Sequence, residues 1–261
     1  MTVLQSALPL KGVGVLVTRP REQAEALMEE IKALGGEPVL FPALAILPPR
    51  NATQIRAQLQ HLSTCDLALF ISPTAVRQGL SCLPGAWPRQ VRVVAIGQAT
   101  ARMLRAQGLA EVIAPASGGD SEHALALPEL QEVDKQHIFI FRGEGGREAL
   151  AETLVSRGAE VTYIECYRRG LPEPLPDPSP VLAAFSSGAI RAVTVFSSET
   201  LDNLMQILGE SGRAALCHLP VFVPHARIVR YAHARGIVTA LAPQEGEKSI
   251  LSTLVKYFAH D

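Results

Sequence analysis

VLVTRPREQAEALMEEIKALGGEPVLFPAL (Val15–Leu44) is echoed without a gap by IFIFRGEGGREALAETLVSRGAEVTYIECY (Ile138–Tyr167). Arg19 aligns with Arg142, Leu27 with Leu150, Gly35 with Gly158 and Glu37 with Glu160. Each copy reads as an apolar strand, an Arg-bearing turn, an amphipathic helix, a glycine stop and a second strand, and a repeat of this kind governs the architecture before any local detail does. The remainder also recurs, more loosely. LALFISPTAVRQGL (Leu67–Leu80) resembles VTVFSSETLDNLMQIL (Val193–Leu208), and VVAIGQATARMLRAQGLAEVIAP (Val93–Pro115) resembles VFVPHARIVRYAHARGIVTALAP (Val221–Pro243). The chain therefore runs A, B, A, B, as two copies of one unit.

Short apolar runs read as buried strands at Val13–Thr18, Glu37–Phe41, Leu67–Ser72, Val91–Gly97, Glu111–Ala114, His137–Phe141, Val161–Ile164, Val193–Phe196, Val221–Val223 and Ile237–Leu241. Helices separate most of them. Arg21–Leu34 sets Ala24, Leu27, Met28, Ile31 and Leu34 on one face and stops at Gly35 and Gly36; Ala99–Gln107, Gly146–Arg157 and Ile228–Arg235 repeat the design. Alternation of this kind predicts parallel sheets covered on both faces.

Proline usage decides where the chain changes domain. FPALAILPPRN (Phe41–Asn51) and YRRGLPEPLPDPSP (Tyr167–Pro180) carry the strongest linker signals, whereas PELQEVDKQ reads as an ordinary helix-to-strand connection. The expectation is an α/β protein of two flavodoxin-like parallel-sheet domains joined by two crossover linkers. One domain is discontinuous (1–42 plus 172–261) and the other is central (49–166), with linkers at 43–48 and 167–171. The terminal domain should show strand order 2-1-3-4-5. The central domain should be the same sheet circularly permuted, starting at its third strand.

Composition bounds the rest. With 261 residues, 48% hydrophobic, two cores of ordinary size can form, and a formal net charge of −1 gives no global attraction to nucleic acid or an anionic membrane. The N-terminus lacks the pattern of a signal peptide, and no apolar run approaches a membrane span. The four cysteines contain no Cys-x-x-Cys pair and read as free thiols of a cytoplasmic protein; the seven His show no ligand spacing, so no metal is expected. No coiled coil points to obligate assembly, and a monomer is expected.

In doubly wound sheets ligands bind beyond the carboxyl ends of strands one and three, where strand order reverses. Those ends are Thr18-Arg19-Pro20 and Ser197-Ser198-Glu199-Thr200 in one domain, and Arg142-Gly143-Glu144-Gly145-Gly146-Arg147 and Ser72-Pro73-Thr74 in the other. Turns rich in Gly, Ser and Thr that open helices present free N–H groups and a positive dipole end. Arg19, Arg142 and Arg147 add charge-assisted donors, so the turns read as receptors for carboxylate or phosphate. Helix capping explains a single Ser or Thr equally well. RGEGGRE is not a phosphate loop, having neither the Lys-Ser/Thr nor a placed acidic partner. Tyr167, at a domain boundary where clefts form, is the phenol most suited to chemistry.

Taken together, VLVTRP, FISPTAV, VVAIGQATARML, FRGEGGREAL, IECYRR and FSSETLDNL, in this order, resemble the uroporphyrinogen-III synthase family over nearly the whole chain. The resemblance implies cyclisation of the linear tetrapyrrole hydroxymethylbilane with loss of water and inversion of ring D, with no metal or organic cofactor. It implies Tyr167 as the group assisting departure of the hydroxyl, and Ser72, Thr74, Gly97, Thr100, Arg142, Ser197 and Ser198 as binding residues. One departure stands out: where the central domain has AIGQATARML, the terminal copy reads FVPHARIVRYA, losing the expected glycine and hydroxyl at a turn where His225 and Arg227 would supply cationic donors instead. Two readings of other classes are a cytoplasmic two-domain sensor of an anionic small molecule, without catalysis, and a nucleotide-sugar transferase. The latter lacks a phosphate loop.

Overall fold

The structure, a computed structural model, describes residues 8–146, 148–244 and 249–259. In chain order its strands are β1 (Gly14–Val17), β2 (Glu37–Leu40), β3 (Ala45–Leu47), β4 (Leu67–Phe70), β5 (Arg92–Ala95), β6 (Val112–Ile113), β7 (His137–Gly143), β8 (Glu160–Gly170), β9 (Ile190–Thr194), β10 (Val221–Phe222) and β11 (Ala240–Leu241). Its helices are α1 (Arg21–Ala33), α2 (Ala52–Gln60), α3 (Pro73–Ser81), α4 (Gln98–Ala106), α5 (Ser121–Leu125), α6 (Ala149–Ser156), α7 (Ser179–Ser186), α8 (Ser198–Cys217), α9 (Ala226–His233) and α10 (Ile250–Phe258). No helix among the described residues is long and apolar enough to cross a membrane.

The chain divides into two compact units, Met1–Ala45 with Gly170–Asp261, and Ile46–Arg169. The terminal unit holds a sheet of order β2-β1-β9-β10-β11, all of whose pairs are parallel, which is the expected 2-1-3-4-5. The central unit's sheet runs β3-β8-β7-β4-β5-β6. Counted from β7, its parallel part is again 2-1-3-4-5, but the chain enters at the third strand, β4. Gly35 and Gly158, equivalent in the repeat, end α1 and α6 with φ of +85° and +89°, a conformation that glycine adopts without steric cost.

Burial explains why the strands are continuous apolar runs. In the central unit Leu67, Leu69, Ile138 and Ile140 pack on one face of the sheet, while Ala68, Phe70, Phe139 and Phe141 pack on the other. Phe70 and Phe141 stack with ring centroids 4.3 Å apart. The terminal unit repeats the alternation, with Val15 and Val17 against one core and Leu16 and Val193 in the other. Both faces are buried, so no polar phase appears in the sequence.

The crossovers differ from expectation. Segments 43–48 and 167–171 read as linkers, yet Ala45–Leu47 is strand β3 and β8 continues through Tyr167 to Gly170, with β3 hydrogen-bonded beside it. β3 itself holds no proline and lies between Pro42 and Pro48-Pro49; proline biases its predecessor toward extended backbone, so a short apolar run between prolines is compatible with strand as well as linker.

Candidate functional site

A cavity of 280 Å³ opens in the central unit beyond the carboxyl ends of β4, β5 and β7, where strand order reverses. Its apolar lining comes from Ile71, Ile96, Ile140 and Leu150, and its polar groups from Ser121, Arg142, Tyr163, Tyr167 and Arg169. Gly143, Gly145 and Gly146 supply backbone. The fold thus gathers Arg142, Gly143 and Tyr167, three of the residues singled out by sequence, into one hollow.

A β-bulge aims Tyr167. Arg142 pairs with Glu165, but the next residue, Gly143, pairs with Tyr167, so Cys166 is the extra residue. A bulge changes which face the residues after it present, and bulges occur next to active sites. Here Cys166 and Tyr167 both join the core cluster that holds Phe141. The Tyr167 ring lies against Gly143, where a Cβ would come within 2.8 Å of the ring carbons Cε2 and Cζ. Only glycine leaves room for the phenol.

Ser72 caps α3, its Oγ accepting the Ala75 N–H at 3.0 Å, and it stands 3.4 Å from the Tyr167 Oη. That separation is long for O–H···O. Among the described residues the phenol has this one weak partner, which leaves it available to a ligand. Pro73 is the first residue of α3, and Thr74 behind it is buried. The amide end of this nine-residue helix favours negative charge beside the phenol.

Arg142 is only 3% exposed. Its Nε donates to the Gly143 carbonyl at 3.2 Å and its Nη2 to that of Gly145. The guanidinium lies 4.5 Å from the Tyr163 ring centroid and 4.0 Å from the Glu165 carboxylate. Arg142 thus braces its own loop as well as charging the cavity. Burial, then the Glu148 carboxylate, pushes the Tyr163 phenol above its ordinary pKa, with Arg142 opposing.

Gly97 begins α4 and acts through space. A Cβ there would sit 2.6 Å from the Gly119 Cα, so the glycine lets the 118–119 loop close in and deliver Ser121 to the cavity. Thr100, 2% exposed in the first turn of α4, does not line it. Arg147 lies outside the described residues.

In the terminal unit the equivalent strand ends line a separate cavity of 450 Å³ with Arg19, Gln23, Phe196, His225 and the start of α10. The Arg19 guanidinium stacks 4.3 Å above the Phe196 ring and donates to Gln23 Oε1 at 3.2 Å; burial holds its pKa below the ordinary value. His225 lines this cavity, whereas Arg227, exposed on α9, does not. Ser197 caps α8, accepting the Thr200 N–H at 3.0 Å, and neither it nor Ser198 lines the cavity. Thr18 departs furthest from a binding role. It has no exposed surface, and its hydroxyl donates to the Thr194 carbonyl at 2.6 Å inside the sheet. Sequence singled out none of Ser121, Tyr163 or Arg169. A signal existed for two of them: Tyr163 precedes Tyr167 by four in one apolar strand, and Asp120-Ser121 follows a Gly-Gly turn as a helix cap.

A family model described as uroporphyrinogen-III synthase HemD matches residues 25–252, spanning both units. The chain belongs to the uroporphyrinogen-III synthase family. The family's member from Escherichia coli K12 is 32% identical over 228 residues, which cover 86% of this chain and 92% of that protein. The uroporphyrinogen-III synthase of Synechococcus elongatus is 29% identical over 78% of this chain and 77% of its own length. Among solved structures, a mutant uroporphyrinogen III synthase from the extremely thermophilic bacterium Thermus thermophilus aligns with a TM-score of 0.57 at 21% identity, over 95% of this chain and 100% of that one. The enzyme from Helicobacter pylori 26695 aligns with a TM-score of 0.58 at 11% identity, over 94% and 99%. At these identities the two structures speak for the family's fold alone.

Proposed function

We propose that the chain is a uroporphyrinogen-III synthase, a cyclising hydro-lyase of haem biosynthesis that converts hydroxymethylbilane to uroporphyrinogen III. The observation that carries the proposal is the place of Tyr167: its phenol faces a cavity at the sheet's switch point, weakly held by Ser72 at 3.4 Å, in a chain whose family match spans both units. The C–O bond of the ring A hydroxymethyl group breaks, and the oxygen leaves as water with a proton for which Tyr167 is the donor or hydrogen-bond partner. The cationic carbon closes on ring D to form a spiro centre, one bond of that centre breaks, and the ring recloses reversed as a proton leaves. Nothing is oxidised or reduced overall, so these steps call on no redox cofactor.

Pyrrole nitrogens make departure of the hydroxyl easy, and closure without the enzyme gives the symmetrical type I isomer. The protein's task is to hold a flexible polycarboxylate in one folded shape. Arg142 and the amide end of α3 supply positive potential in the central unit, and Arg19 supplies it in the terminal unit, in a cavity that His225 also lines. A net charge of −1 gives no global attraction to nucleic acid, and the reading is of a cytoplasmic enzyme that acts as a monomer. Incubation with hydroxymethylbilane, oxidation and separation of the porphyrin isomers tests the proposal. An excess of type III is expected; a type I product equal to the no-enzyme control would reject it in favour of a binding or sensor protein.

A further inference from the structure

We infer that Arg50 and Glu144 form a positioning pair for the reaction, a clasp that fixes the Gly143–Gly146 loop and with it one wall of the Tyr167 cavity. The inference rests on the functional reading given above. The Glu144 carboxylate accepts the Arg50 backbone N–H at 2.6 Å on one oxygen and the Arg50 guanidinium at 2.9 Å on the other. Arg50 belongs to the crossover following β3, 94 residues earlier in the chain, so the clasp ties a distant segment to the loop.

Glycine composition makes such a tie consequential. Gly143, Gly145 and Gly146 carry no side chains to pack, and the last two have φ of +69° and +108°. Hydrogen bonds therefore set the loop's position. The Glu144 N–H donates to the Tyr167 carbonyl at 2.7 Å and the Gly145 N–H to the Glu165 carboxylate at 3.1 Å. Arg142 braces the same loop through the Gly143 and Gly145 carbonyls. A second, polar cavity of 360 Å³ shares Gly145 and Tyr163 with the first and is lined by Arg50 and Glu144. A loop freed from Arg50 has this space to move into.

The Arg50 side chain is 75% exposed, and surface pairs contribute little to global stability. Positioning is a different matter, since a misplacement of about 1 Å costs on the order of 10²-fold in rate. The clasp should therefore be nearly silent in thermal unfolding and visible in kinetics.

The test is a double-mutant cycle of Arg50→Ala and Glu144→Ala, with Arg50→Lys as the conservative variant. Steady-state turnover of hydroxymethylbilane and hydrogen exchange of the loop amides are measured for each. Glu144→Ala should raise KM and lower kcat/KM about tenfold, raise the share of type I product, and speed exchange at Glu144 and Gly145. Arg50→Ala should do less, because its backbone N–H still reaches Glu144. Arg50→Lys should recover most of that loss, and the double variant should match Glu144→Ala alone. Unchanged KM and exchange in Glu144→Ala, or additive losses in the double variant, would overturn the inference. A wild-type chain that gives no excess of type III overturns the functional reading and the inference with it.

Discussion

Replacing Gly143 by alanine is the sharpest perturbation of the site. A Cβ at this position comes within 2.8 Å of Cε2 and Cζ of Tyr167 and 3.2 Å of its hydroxyl, against 3.4 Å for ordinary contact. The ring must retreat by about 0.6 Å or the strand must yield. Tyr167 is only 7% exposed and packs with Phe141, Ile164 and Cys166, so retreat displaces the phenol from its place beside Ser72. Overpacking of this kind costs about 1–3 kcal/mol, and for a chain of this size each kcal/mol lowers Tm by roughly 2–4 °C. Scaled from about 10²-fold per ångström, the phenol's displacement lowers kcat by ~10-fold, with a smaller effect on KM. Gly119→Ala is the control, because its Cβ meets nothing within 4 Å. Stopped-time assays of type III product, with thermal melts of both variants, read the outcome. A Gly143→Ala enzyme with wild-type kcat would refute the reasoning that the phenol's position governs turnover.

Thr18→Val removes a buried donor from the Thr194 carbonyl, so denaturant unfolding should show a loss of about 1–3 kcal/mol, with KM for the bilane unchanged. Burial pushes the Cys65 and Cys166 thiols up to about 11 and about 12. At pH 8 a thiol reagent should therefore modify only Cys82 and Cys217 quickly, and all four cysteines after denaturation. Rapid loss of Cys65 or Cys166 in the folded protein would contradict that burial.

The two-unit organisation was legible because the repeat, with Arg19 matching Arg142 and Gly35 matching Gly158, gives two copies of one unit, and the Pro-rich runs at Phe41–Asn51 and Tyr167–Pro180 mark where the chain crosses between them. Tyr167 could be singled out by its place near a crossover, although β8 runs on past it to Gly170. The bulge that aims it could not, since it arises from the register of Gly143 against Tyr167 and leaves no mark in either segment. Strand β3, three residues long, was hidden by the prolines that flank it, Pro42, Pro48 and Pro49. Thr18 and Thr194 show the limit of reading turns by composition: a hydroxyl at a strand end serves a ligand or a neighbouring carbonyl, and only the fold decides which. Arg142 likewise reads as an anion donor, while its own loop engages part of its hydrogen-bonding capacity. Ser121 reaches the cavity because Gly97 admits the 118–119 loop, a contact between segments that no local pattern announces.

Turnover by Tyr167→Phe tests the central claim most directly, because the change removes one oxygen and leaves the packed ring. Its weak 3.4 Å contact with Ser72 makes little difference to folding, so the melting temperature should stay near that of the wild type. If the phenol assists departure of the hydroxyl, kcat falls by ~10²-fold, the lower range for a positioned proton donor, while KM changes little. Wild-type kcat in Tyr167→Phe would contradict the account.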